Sequence, residues 1–477
     1  MRPDLLVIGA GSGGLSMAAG AAMLGARVVL VERDRMGGEC LNNGCVPSKA
    51  LIAAARAVAD IRHSAGLGIR AGEPKVDFAA VRRHVEGTIA AIAPHDSVER
   101  FEKLGVHVIK GTARFLDPHR VVVARQIFRP RHVVIAVGSR PAVPAIPGLD
   151  EVGYHTNETI FSISALPPRL AVLGGGPIGV ELGQAFARLG SRVTIIEQDE
   201  LLPREDRALV APLRDALKAD GIVLRQFTRL TRVEREGEGG EIRLHLEPVE
   251  SRQAEPSILV ADALLVAVGR VPATDTLDLT AAGIETLADG AIRVDRRLRT
   301  TNPRVSAIGD CIDGPRLTHA AGHQAGLLAR HLLFRLPIRL DHTILPRVTY
   351  SDPEIAAVGM GEKEARARHG DKLEIIEVAV ADVDRARCEG RPEGIARLLV
   401  AKGRVLGVSI VAAQAGELIT PWVEVVAGSR KLASIASAIV PYPTMGDLNK
   451  KLAGAYYRKR LDNPWIGRLI RGLMRLR

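Results

Sequence analysis

Two stretches of the chain carry the same sequence of apolar, glycine and polar positions. VIGAGSGGLSMAAGAAMLGARVVLVE from Val7 and VLGGGPIGVELGQAFARLGSRVTIIE from Val172 align at a constant offset of 165 residues. Each opens on a short apolar run, passes through clustered glycines into a helical span, and closes on a β-branched run ending in Glu. That pattern predicts strand, tight turn, helix and second strand, twice. Gly9, Gly11 and Gly14 align with Gly174, Gly176 and Gly179, and Glu32 aligns with Glu197. Glycines at this spacing let backbone amides approach a pyrophosphate at a helix N-terminus, and a carboxylate after the second strand accepts hydrogen bonds from ribose hydroxyls. The repeat therefore predicts two dinucleotide sites. A flavin dinucleotide beside a nicotinamide gives a hydride donor and an electron relay, which two nicotinamides would not.

Further apolar runs set the organisation. HVVIAVGSRP (132–141) and LLVAVGRVP (264–272) read as buried strands ending in turns at Gly138 and Gly269. They bracket the second repeat as an inserted domain, 151–267, with the first domain spanning 1–150 and 268–344. TTNPRVSAIGDCIDG (300–314) predicts a strand that delivers Asp310, a carboxylate suited to a polyol hydroxyl. From 345 the pattern changes to a separate α+β unit, 345–458, followed by a basic amphipathic tail, 459–477.

A chain of 477 residues is long enough for several cores. The net charge of +11 does not point to nucleic acid, because residues 450–477 hold nine Lys or Arg against Asp462, leaving +3 for the rest. The opening residues lack the basic and long apolar regions of a secretory signal, and no apolar run is long enough for a membrane span. The expected location is cytoplasmic. In a reducing compartment, close cysteines are mostly catalytic, redox-sensing or metal-binding. Cys40 and Cys45, in GGECLNNGCVPSKAL (37–51), are such a pair. A continuous helix would hold residues five apart on different faces, but Asn42, Asn43 and Gly44 permit a turn between them. A helix starting near Pro47 would then place Cys45 at its N-terminus, where the dipole favours thiolate, with Lys49 adding a cation. Zinc would need further ligands, and no second Cys or His pair lies near.

These marks together resemble the flavin-dependent pyridine nucleotide-disulfide oxidoreductases, the family of dihydrolipoamide dehydrogenase, glutathione reductase and mercuric reductase. GGECLNNGCVPSKAL, SAIGDC and VTYSDPEIAAVG carry the likeness most specifically. The resemblance implies two Rossmann-like domains, for FAD and NAD(P)H, and a C-terminal dimerisation domain that completes each active site in a homodimer. It implies that Cys45 is the thiol nearest the flavin and Cys40 the interchange thiol, that Lys49 pairs with Glu181, and that Asp310 holds the ribityl chain. Electrons would pass from NAD(P)H through FAD to the Cys40–Cys45 disulfide and on to an acceptor.

Several features bear on the acceptor and coenzyme. Glu197, followed by Gln198 and Asp199, suits a free 2′-hydroxyl and favours NADH. Dithiol-using members carry a His followed by a Glu near the C-terminus. Here YPTMGD (442–447) puts Tyr442 and Asp447 at those places, and a phenol is a poor proton shuttle at neutral pH. In this respect the chain resembles mercuric reductases, whose soft-metal acceptor needs no such base. Their C-terminal cysteine pair has no counterpart in RLIRGLMRLR. The expected acceptor is a small thiol, disulfide or soft metal. Alternatives are a dihydrolipoyl dehydrogenase, a membrane-associated NADH:quinone flavoprotein and a slow redox-sensing dimer. The membrane alternative rests on residues 464–477, where Trp465, Ile466, Leu469, Ile470, Leu473 and Leu476 form one helical stripe beside Arg468, Arg471 and Arg475. Of the remaining polar groups, Cys311 is expected to be a buried small residue, and His319 and His323 to serve packing and hydrogen bonding near the flavin.

Overall fold

The computed structural model describes residues 1–237, 239–249, 255–461 and 464–474. Two compact units form: one from residues 1–58, 75–198 and 225–342, the other from 59–74, 199–224 and 343–477.

The first unit contains both glycine repeats, each folded in the expected order. In the first repeat, strands Leu5–Ile8 and Val28–Glu32 flank helix Ser12–Met23. A five-stranded parallel sheet forms around them, ordered 305–307, 132–135, 5–8, 28–32 and 106–110. Leu5 to Ile8 and Val28 to Val31 are all buried, as a parallel sheet covered on both faces requires. Helix Ser12–Met23 packs on helix Thr318–Phe334. In the second repeat, strands Arg169–Leu173 and Arg192–Ile196 flank helix Pro177–Leu189, and Ala263–Val266 adds a further parallel strand. Strands Ser139–Pro141 and Arg270–Pro272, which follow Gly138 and Gly269, pair antiparallel. Two three-stranded antiparallel sheets, within 113–128 and 228–261, complete the unit.

The second unit is built on a five-stranded antiparallel sheet, ordered 347–349, 354–359, 404–412, 395–401 and 373–379. Helices Thr420–Val426 and Asp447–Leu461 contribute to its core, where the fully buried Trp422 donates from Nε1 to Asn449 Oδ1 at 2.7 Å. Arg397 is buried yet satisfied by Asp206 at 3.3 Å and by Glu362 and Glu377 at 2.7 Å each. A buried guanidinium needs such partners to offset its desolvation. Among the described residues, no helix is long and apolar enough to cross a membrane.

Candidate active site

The cysteine segment folds as two helices, Gly38–Asn42 and Cys45–His63, broken at Asn43 and Gly44. Gly44 is tightly enclosed, since a Cβ there would lie 3.1 Å from the Glu39 carbonyl oxygen. The second helix begins at Cys45, which stands at its N-terminus as expected. Its first i to i−4 bond runs from Ser48 N to Gly44 O at 3.0 Å, so Cys45, Val46 and Pro47 occupy the turn that needs no amide donor. Proline costs nothing there.

All four cysteines are free thiols. Cys45 is exposed and Cys40 half-buried. A hydrogen bond from Cys40 is the largest influence lowering the Cys45 thiol, to about 6, with Thr318 and the Lys49 cation helping against burial. The same bond, with burial, pushes Cys40 well above the usual thiol range. The pair is therefore asymmetric, a thiolate at Cys45 beside a protonated Cys40. Thr318 Oγ1 lies 3.2 Å from Cys45 Sγ and heads the helix Thr318–Phe334, so a second helix N-terminus faces the thiolate. No spacing in the sequence marks Thr318, which stands 273 residues from Cys45.

Lys49 Nζ meets the buried Glu181 carboxylate at 2.8 Å, joining the cysteine helix to the helix of the second repeat. Asp310 follows the strand Val305–Ala307 in a short 3₁₀ turn rather than on the strand itself, and accepts from Ser139 Oγ at 2.9 Å. Glu39, Asn157, Ser139 and Arg270 also converge here, linked by hydrogen bonds that the sequence does not announce. Arg270, beside Gly269, had a local signal in its motif; Asn157 had none.

The two glycine turns match in detail. Gly9 and Gly174 have φ of 102° and 111°, and a Cβ on either would lie 2.4 or 2.5 Å from a carbonyl oxygen of the neighbouring strand's end, Ala136 or Ala267. A Cβ on Gly14 or Gly179 would lie 1.8 or 1.9 Å from the carbonyl oxygen of Gly9 or Gly174. Glu32 accepts from Ala10 N and Glu197 from Gly175 N, both at 2.7 Å, at equivalent places in the repeat. Gly11 and Gly176 precede their helices without a side chain to block the amides. Backbone donors, a carboxylate after the second strand and the absence of a Cβ fit a dinucleotide at each turn. Gly138 and Gly269 both have positive φ and open space where a Cβ would be.

Tyr442 and Asp447 do not pair with each other in the described structure. Tyr442 is 75% exposed and donates to Asp384 at 2.9 Å, a bond that raises its pKa further; Asp447 meets Lys451 at 3.3 Å. Cys311 is fully buried, as expected, and burial pushes its thiol up to about 12. His319 and His323 lie on the helix Thr318–Phe334, and burial lowers the His323 pKa. No metal-binding cluster of His, Cys, Asp or Glu occurs among the described residues. In the tail, Pro464–Met474 is helical, with Trp465, Ile470, Leu473 and Met474 exposed and the Arg468 guanidinium 5.1 Å from the Trp465 ring centre. Leu476 and Arg475 lie outside the described residues, as do the side-chain positions of Ile466 and Leu469.

Two dinucleotide-type repeats with a close thiol pair define the class of flavin-containing pyridine nucleotide reductases. The chain belongs to the pyridine nucleotide-disulphide oxidoreductase family: residues 3–325 match that family and residues 345–453 match its dimerisation domain. It is 35% identical to a mercuric reductase of Streptomyces lividans over 468 residues, covering 95% of this chain and 96% of that one. It is 33% identical to a dihydrolipoyl dehydrogenase of Bacillus subtilis (strain 168), covering 95% and 96%. Among solved structures, the HOCl-induced flavoprotein disulfide reductase RclA from Escherichia coli superposes with a TM-score of 0.83 at 28% identity, covering 94% of this chain and 99% of that one. The protein is thus an FAD- and NAD(P)H-dependent oxidoreductase with a dimerisation domain.

Proposed function

We propose that the chain passes electrons from NADH, through FAD, to a redox-active Cys40–Cys45 disulfide and on to a soft-metal or small thiol/disulfide acceptor. The observation that carries this reading is the close thiol pair at a helix break, with Cys45 opening the helix Cys45–His63 and Thr318 Oγ1 3.2 Å from its sulfur. FAD is assigned to Gly9, Gly11, Gly14, Glu32, Gly138 and Asp310, in a domain of residues 1–150 and 268–344. NAD(P)H is assigned to Gly174, Gly176, Gly179, Glu197 and Gly269, in a domain of residues 151–267. When bound, FAD supplies a hydride acceptor and an electron-pair donor to sulfur.

The chain's own residues account for the rest. Cleavage of the Cys40–Cys45 bond by two electrons and one proton leaves thiolate at Cys45, where Lys49, Thr318 and two helix N-termini stabilise it. The proton resides on Cys40, the more basic sulfur. Lys49 is held in place by Glu181. Cys40 then exchanges with a disulfide or, with Cys45, captures a soft cation. Tyr442 engages Asp384, which supports an acceptor that needs no imidazole base. Residues 345–458 form the homodimer contact. The test is turnover with mercuric ion, lipoamide, glutathione disulfide and a quinone. Cys40→Ser should abolish thiol and metal reduction; a variant that keeps mercuric reductase turnover would refute the reading.

The tail supports a peripheral contact as well. Residues 464–477 carry arginines, no acidic residue and an exposed apolar set, which suits an anionic membrane surface. Flotation with anionic vesicles, with and without residues 464–477, tests it. Equal flotation of the two proteins would end that idea.

A further inference from the structure

Beside Cys40 stands a charged group with no part in the scheme above. Glu39 lies in the five-residue helix Gly38–Asn42, too short to hold its own position by backbone bonds alone. Its Oε1 accepts from Asn157 Nδ2 at 2.8 Å, and the same nitrogen donates to Asn43 O at 3.1 Å, in the break between the two cysteines. Its Oε2 takes the Arg270 guanidinium. That guanidinium is in turn fixed by Ser139, through Oγ at 2.8 Å and the carbonyl oxygen at 3.0 Å. Burial pushes the Glu39 carboxyl up to about 7, with Arg270 opposing and Asp310 adding to the rise. Both carboxylate oxygens are thus engaged, one by Asn157 and the other by Arg270.

We infer that Glu39 is a positioning residue for the interchange thiol. Through Asn157 and Arg270 it pins the short helix carrying Cys40, and the turn after it, so that the two sulfurs stay within bonding reach. This rests on Cys40 and Cys45 being the redox couple. Holding two thiols together raises their effective concentration toward each other and so favours the disulfide.

The test equilibrates the FAD-loaded enzyme with glutathione redox buffers and measures the oxidised fraction of the pair by alkylation and mass spectrometry. Glu39→Gln and Asn157→Ala should each shift the equilibrium toward the dithiol roughly tenfold, about 30 mV. The double variant should shift little further, because the two residues act as one unit. FAD content and melting temperature serve as controls that a purely structural role would move alone. An unchanged equilibrium in either folded variant overturns the assignment. A wild-type protein that forms no Cys40–Cys45 disulfide at any poise overturns the redox couple and this inference together.

Discussion

The two glycine turns are near copies in backbone geometry but differ in what lies over them. At the first, the cysteine segment closes in: Gly37 N donates to Ala10 O at 3.0 Å, and a Cβ on Gly38 would lie 2.7 Å from Gly11 Cα. At the second, a Cβ on Gly176 would meet nothing within 4 Å. One turn is packed under the redox motif and the other stands open. A covered turn suits a group retained through many cycles, and an open one suits a coenzyme that enters and leaves. Under the proposed assignment, the two turns would differ in role through the neighbouring segment and not through the glycines themselves.

The largest effects are expected at the third glycine of each turn. Gly14→Ala should yield protein with FAD content reduced roughly tenfold or more, since overpacking against the Gly9 carbonyl costs about 3 kcal/mol. Gly179→Ala should stay yellow but bind NADH roughly tenfold more weakly, for the same reason. Absorbance of the purified proteins and coenzyme titration would check both, and identical defects in the two variants would erase the proposed division of labour.

Smaller effects sharpen it. With Glu197 in its proposed role against a 2′-phosphate, Glu197→Gln should lower the NADH-to-NADPH ratio of kcat/KM by about tenfold, whereas Glu32→Gln should leave that ratio unchanged. Lys49→Met removes a cation near Cys45 and should raise its pKa by about one unit, slowing alkylation at pH 6 about fivefold. In the folded dithiol, Cys45 is depressed below its unfolded value of 9.0 to about 6. Its contribution to stability therefore grows from pH 6 towards 9 and is lost as pH falls through 6, while above 9 the raised Cys40 thiol acts in the opposite sense. Lys49→Met should flatten that rise in denaturant titrations. The least effect is expected for Tyr442→Phe, exposed and paired with Asp384: mercuric ion turnover should change by less than about twofold.

The repeat, the break between the cysteines and the change of fold after 345 were legible because each rests on local pattern. Glycine spacing, β-branched runs and a proline near the helix start are short-range signals. The surroundings of the sulfurs were less so. Thr318 reaches Cys45 across 273 residues and Asn157 reaches Glu39 across 118, and nothing in sequence spacing registers such a closure. Lys49 with Glu181 came from resemblance alone. Cys45 at a helix N-terminus was legible from Pro47, a residue that suits a first turn. The antiparallel sheet within 113–128 is built of strands too brief for their alternation to stand out, whereas Ile242–Pro248 in the sheet within 228–261 alternates plainly.

The central claim is that electrons leave the flavin through sulfur at positions 40 and 45. Anaerobic titration of the FAD-loaded protein with NADH tests it most directly. The first equivalent should produce long-wavelength charge-transfer absorbance while the flavin band persists, and Cys45→Ser should lack it. Direct bleaching of the flavin by the first equivalent, with no such absorbance in the unaltered protein, would contradict it.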